Sequence, residues 1–410
     1  MRFRTTALFL LVIGAEPGIC QVPVTPPSPA AVPADPYTGA APDVLDRVGY
    51  QSLGPFRFGT NHDSDDVALL LADEPLLWIE TRHFRIGASL SAYAVPAKDK
   101  EAAAQVRSEL QKLAGRLPKV DPRANRLDPW LRAHQVAQRA AEVYAAVLHH
   151  QGVTAPDFPL PPGDDPRRAA TFRGLGPYLG MPEKFTILLV QKPTSLQRYT
   201  AAWQSWSTPL PVRFFDHRFG MAFFGASEGA ADGLMRDDVA LRTHLSYHVA
   251  HNLYTSYRSY GHNLPAWLVN GLAWRHARQV STRFPIYDLR CAADPDGKRY
   301  ASWAKRAAVW RKDDGMPPLA PLLERLDVAS LTMDEHLQCW ALVDGLMQQR
   351  PKAVAEFVHR MKDPFFDRLR FPTDEELLAR QHEVLAAVFG VDAGGLAKLW
   401  REASITVARR

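Results

Sequence analysis

The chain has 410 residues, with 49 Lys and Arg against 44 Asp and Glu, a formal net charge of +5 and only 3 cysteines. That length supplies ample apolar surface for a core and exceeds a small module. The two signs of charge are interspersed, so the sequence lacks the basic patch of a nucleic-acid binder. It also has no C-x-x-C pair for a zinc-cysteine site.

The chain opens with Arg2 and Arg4, followed by a short apolar run from Ala7 to Ile13. The run is too short to span a bilayer, and residues 1–20 read as a secretory signal peptide. The protein is therefore expected to be exported to the periplasm, the cell surface or the medium. Cys20 sits where a lipoprotein cysteine would, but Pro17-Gly18-Ile19 before it is a poor lipobox, so no lipid anchor is expected. Residues 21–43 are crowded with Pro and Ala and predict an extended tether. No later apolar run is long enough for a membrane span. Once Cys20 leaves with the leader, Cys291 and Cys339 remain, as a disulfide or as two buried thiols.

Residues 44–236 predict an α/β lobe. The segment Leu76 to Ile86 alternates as a strand pair or one bent strand, and His83 within it reads as structural. Asp99 to Leu113 and Trp130 to Leu148 have helical spacing, the second opened by Asp128-Pro129 as cap and first-turn proline. His149-His150 at its end suit the helix C-terminus rather than a shared metal, because adjacent helical residues point apart. Phe185 to Val190 predicts a buried strand, and a helix follows near Leu196. The aromatic, Gly-punctuated stretch Phe214 to Phe224 predicts an edge strand and its turn beside a cleft, or simple core packing. Residues 237–410 predict a central helix and a mainly helical lobe, with helices over Tyr300 to Trp310, Leu319 to Leu326, Asp334 to Gln349, Ala353 to Met361, Thr373 to Phe389 and Gly394 to Ala403.

Asp237-Asp238 cap the central helix, and His244, His248 and His251 follow at i, i+4 and i+7. At about 100° per residue all three lie on one stripe. Such a stripe can bind a transition metal, zinc above all. Alternatively, the imidazoles fill and hydrogen-bond a polar interior with Tyr247 and Asn270, His248 pairing with one of them. Glu228 is the nearest upstream carboxylate, and no G-x-S-x-G elbow is present for a serine hydrolase. His262 and His276 flank the next helix and read as structural.

The phrases Tyr247-His248-Val249-Ala250-His251 and Leu264-Pro265-Ala266-Trp267-Leu268-Val269-Asn270-Gly271-Leu272-Ala273 stand 18 residues apart, counted between His251 and Asn270. Together they resemble the H-E-x-x-H helix and the following L-P-x-W-L-x-E-G-L-A helix of peptidase-MA-like (gluzincin) metallopeptidases. The opening phrase Glu80 to Ile86 and the closing phrase Phe389 to Arg401 resemble the same family more loosely. In this register Tyr247 stands at the first ligand, His248 at the general base, His251 at the second ligand and Asn270 at the third. A second register, His244 to His248, keeps two histidines but puts Leu245 at the base. Both lack the glutamates.

The resemblance implies an α+β fold: a mixed sheet with helices, then a mainly helical lobe, with a cleft between them. It implies an exported protein that has lost zinc hydrolysis and keeps a binding or scaffold role toward a peptide or an envelope protein, with Trp267, Phe223 and Phe224 as cleft contacts. The rival expectation is an atypical zinc metallopeptidase using His244, His248 and His251. Fold likeness alone carries neither activity.

Overall fold

The computed structural model describes residues 34–158, 174–204, 207–216, 219–259, 262–286, 301–313, 315–363 and 372–408. The expected leader, Cys20 and Cys291 lie outside these residues. The first half contains helices α1 (Pro42–Val48), α2 (Ser64–Leu70), α3 (Lys100–Ala114), α4 (Pro129–Gln151), α5 (Pro193–Trp203) and α6 (Ala230–Gly233). Interleaved with them are strands β1 (Tyr50–Ser52), β2 (Leu77–Thr81), β3 (Phe84–Ala88), β4 (Tyr93–Ala94), β5 (Arg126–Leu127), β6 (Phe185–Val190), β7 (Val212–Asp216) and β8 (Met221–Ser227). Helices α7 (Asp238–Ser256), α8 (Ala266–Val280), α9 (Trp303–Asp313), α10 (Leu319–Leu323), α11 (Met333–Gln349), α12 (Pro351–Met361), α13 (Asp374–Phe389) and α14 (Ala393–Ala408) complete the described chain. The class is α+β, as expected.

Among the described residues, six strands form one mixed sheet in the order β1-β2-β3-β6-β8-β7. The segment around Arg82-His83 turns β2 into β3 as an antiparallel hairpin, whereas β3, β6 and β8 run parallel. β7 returns antiparallel to β8 and is the outermost described strand on that side. Every residue of β6 is buried, because helices cover both faces, and this explains its unbroken apolar run. On one face Leu188 and Val190 pack with Leu196 and Tyr199 of α5. On the other, Ile187 and Leu189 join α4, α7 and the C-terminal helices in one continuous core that reaches Trp400.

Local signals explain most boundaries. Asp99 and Asp128 cap α3 and α4 as their side chains accept from Ala102 and Leu131 backbone N–H groups, at 3.0 and 2.9 Å. Thr332 with Glu335, and Thr373 with Glu376, form capping boxes on α11 and α13. α5 begins at Pro193, not near Leu196, because proline preset for the first helical position starts the helix itself. The folded body also begins ahead of the expected tether boundary at residue 43. Asp35 is buried and meets His134 Nε2 at 3.2 Å, so the end of the Pro/Ala stretch is docked. Cys339 is buried on α11.

Two close contacts fix the helical layers. A Cβ on Gly271 of α8 would lie 2.5 Å from the Cys339 carbonyl oxygen and 2.5 Å from Val343, so only glycine lets α8 and α11 approach this closely. Lys362, just after α12, is fully buried and donates from Nζ to the Thr255 carbonyl at 2.6 Å and the His262 carbonyl at 2.7 Å. It ties the end of α7 to the loop leading into α8. None of the described helices is long and apolar enough to cross a membrane.

Candidate functional site

α7 is polar in sequence yet buried all round: Asp238 to Ser256 are buried except Arg242. It lies between the sheet, α4 and α8, so its polar groups must find partners inside the protein. At its start Asp237 accepts from the N–H groups of Val239 and Ala240, at 2.9 and 3.0 Å. Asp238 does more than complement the helix end. Arg139 of α4 donates to both of its carboxylate oxygens and to Glu109 of α3, while Arg132 pairs with Glu228. Burial opposes ionisation of Asp238, but the facing Arg139 guanidinium outweighs it and holds the carboxyl below its usual range. Glu228 also accepts from Ser91 N–H at 2.9 Å, so this carboxylate joins α4 to the segment after β3.

The three histidines share a stripe: the His244 and His248 rings stack with centroids 6.2 Å apart, and the Tyr247 ring contacts both His248 and His251. His244 Nδ1 donates to the Ala240 carbonyl at 2.9 Å, one turn back on its own helix. His248 stacks on Phe224 of β8, ring centroids 4.6 Å apart and 14° from parallel. His251 meets the Thr255 hydroxyl through Nδ1 at 3.2 Å. Among the described residues, no group of three or more His, Cys, Asp or Glu side chains is placed to hold a metal ion.

Across the helix pair, the Tyr247 hydroxyl donates to Asn270 Oδ1 at 2.8 Å. The two residues expected as alternative partners of His248 are thus bonded to each other, while the His248 ring lies edge-on to Tyr247, centroids 5.1 Å apart. The chain of bonds continues, because Asn270 Nδ2 meets His336 Nδ1 of α11 at 2.9 Å, and Trp274 Nε1 donates to the same nitrogen at 3.3 Å. An indole N–H can only donate, so His336 Nδ1 must be the acceptor. That places the NH₂ of Asn270 toward His336 and its oxygen toward Tyr247. The four side chains form one mutually oriented hydrogen-bonded set.

No protein-family model, curated protein or solved structure matches this chain.

The expected cleft contacts move. Phe224 lies beneath His248, Phe223 packs on the opposite face against Tyr199, and Trp267 is buried with its Nε1 donating to Gln381 Oε1 at 2.9 Å. All three are core residues. Strand β8 is covered on both faces, so its side chains cannot reach solvent, while the outer strand β7 supplies the cleft wall. The cavity there is about 250 Å³ and is lined by Arg213, Phe214 and Phe215 of β7, His251 and Thr255 of α7, and the Leu326–Val328 segment. Of Tyr247, His248, His251 and Asn270, only His251 lines it, together with Leu264 and Val269 of the second phrase.

His83, His150 and His262 each have a packing or hydrogen-bonding partner. His83 stacks on Tyr144 at 3.9 Å, His150 Nδ1 meets the Tyr254 hydroxyl at 3.0 Å, and His262 Nε2 donates to the Met361 carbonyl at 2.6 Å. Burial pushes His83 and His150 down to about 4 and His276 to about 3. Sequence reasoning missed His336, which no motif marks. It also missed Arg213, which stands immediately before the aromatic segment Phe214 to Phe224 and belongs to β7.

Proposed function

We propose that this chain is an exported, peptidase-MA-like pseudopeptidase that binds an extended peptide without cleaving it. The observation that carries the reading is the Tyr247–Asn270 hydrogen bond, extended through His336 to Trp274. It joins the first- and third-ligand positions of the family's motif with neutral groups already committed to one another. Hydrolysis would also need a base aimed at an attacking water, and Glu228 is engaged by Arg132 and Ser91. Binding is favoured by the cavity beside β7, an outer strand whose backbone can pair with an added peptide strand. Spacing, the two phrases and the leader-like N-terminus support the family and the export.

The test is metal content of the purified mature protein by mass spectrometry, beside a His251→Ala variant, with a peptide pool incubated and analysed for cleavage. Expected are substoichiometric zinc in both proteins and intact peptides. Near one zinc per chain, lost in the variant, with peptides cut, would sink the reading and install the metallopeptidase alternative.

A further inference from the structure

The cavity beside β7 adjoins a second one of about 310 Å³ that runs on to the start of α13. Asn263, Leu264, Leu326 and Asp327 line both, so a ligand lying along β7 has the second cavity within reach. Its chemistry is split between floor and rim. Leu264, Pro265 and Met361 are buried and make the floor apolar. The buried polar side chains among them are engaged: Gln381 accepts from Trp267 Nε1 at 2.9 Å and donates to the Leu323 carbonyl at 2.8 Å, and His262 donates to the Met361 carbonyl.

The rim carries charge of one sign. Asp327 and Asp374 stand exposed there, and among the described lining residues no Lys or Arg accompanies them. Arg325, two residues before Asp327, is turned to Glu335 at 3.3 Å. Asp327 accepts from Ala329 N–H at 3.0 Å through one oxygen, which caps a turn without neutralising the charge. Asp374 sits in the first turn of α13, where a carboxylate suits the helix end. Those local duties explain each aspartate alone, but not their shared place over an apolar hollow. A long cationic side chain is built the same way, with an apolar stem and a charged head that stays in water, so it fits there without burying a charge.

We propose that this second cavity is a pocket for a lysine or arginine side chain of the bound peptide, its stem on the Leu264 and Met361 floor and its head at Asp327 and Asp374. This rests on the peptide-binding reading above and specifies which peptides satisfy it. β7 would supply backbone pairing to any sequence, and the two aspartates would read the cation.

Fluorescence polarisation with three series of labelled hexapeptides, blocked at both ends, tests this on the full mature protein. One series is neutral, one carries a single Lys or Arg moved along the chain, and one carries a single Asp or Glu instead. With the cation at its best position, the basic peptides are expected to bind about fivefold or more tighter than the neutral ones at low salt, and to lose that margin as salt is raised. Asp327→Asn and Asp374→Asn, made separately, should each narrow the margin, and asparagine keeps the oxygen that caps the Asp327 turn. Glu383→Gln, which replaces an exposed carboxylate of α13 outside the cavity, should leave the margin as it was. Equal binding of the neutral and basic series, or preference for the acidic one, would overturn the cation pocket and leave peptide binding standing. A margin untouched by both aspartate variants would overturn its assignment to this cavity. Absence of binding in every series would overturn both readings. The comparison among peptides needs no variant, so it stands even if one of them does not fold.

Discussion

The amide of Asn270 can be turned only one way. Trp274 fixes the acceptor on His336, His336 fixes the amide nitrogen, and the oxygen is left for Tyr247. Tyr247→Phe removes that oxygen's donor inside a fully buried site, at a cost of about 1–3 kcal/mol measured by urea unfolding. A silent Tyr247→Phe would mean the bond contributes nothing. The ligand positions should also be recoverable: the triple variant Tyr247→His, His248→Glu, Asn270→Glu is expected to bind zinc stoichiometrically, and metal-free protein that stays folded would show the register to be wrong. The resemblance to the gluzincin phrases implied that Tyr247 and Asn270 meet around one site, but the bond between them was not read from the sequence. His336 was not, since its place depends on how a third helix packs. Nor was the committed orientation of His244, which sequence periodicity placed on the stripe but whose Nδ1 turns back along its own helix.

At the scale of elements, α7 is held at both ends by buried charge. At its N-terminus Asp238 faces Arg139, and removing one partner strands the other in the interior. Asp238→Ala should therefore cost about 3–5 kcal/mol, and Asp238→Leu combined with Arg139→Met should recover much of it. An additive double variant would refute coupling through this pair. At the other end Lys362 is held down to about 7, chiefly by burial and further by Arg258, against 10.5 in the unfolded chain. The unfolded state then binds more protons between pH 7 and 10.5, so this lysine makes stability rise with pH across that window. Lys362→Met should flatten that rise and destabilise throughout, because the Thr255 and His262 carbonyls lose their donor. The caps of these helices could be read from Asp237, Asp128 and Thr373 alone. The charge brace could not, because Arg132 and Arg139 look like ordinary solvated residues until α4 is seen buried against α7.

Across the whole molecule, buried neutral histidines add a second dependence on pH. His62, His83 and His150 are held near 4 and His276 near 3, each mainly by burial, against 6.5 when unfolded. Their contribution is fully present above pH 6.5 and is lost as the pH falls toward 4, because protonation then favours the unfolded chain. Thermal unfolding should show a melting temperature that falls steadily over that interval, and a flat profile would contradict these burials. Individual strands and helices were legible from periodicity and the mixed sheet was implied by the family resemblance, while the continuous core joining them was not legible, since no local pattern reports which distant apolar faces meet. That continuity gives Gly271 its weight. The α8–α11 approach at this residue decides where His336 sits, and with it the orientation of Asn270 and Tyr247. The most sterically constrained position in the site therefore carries no functional group: a single methyl there would disturb the polar set from behind, while leaving every one of its donors and acceptors in the sequence.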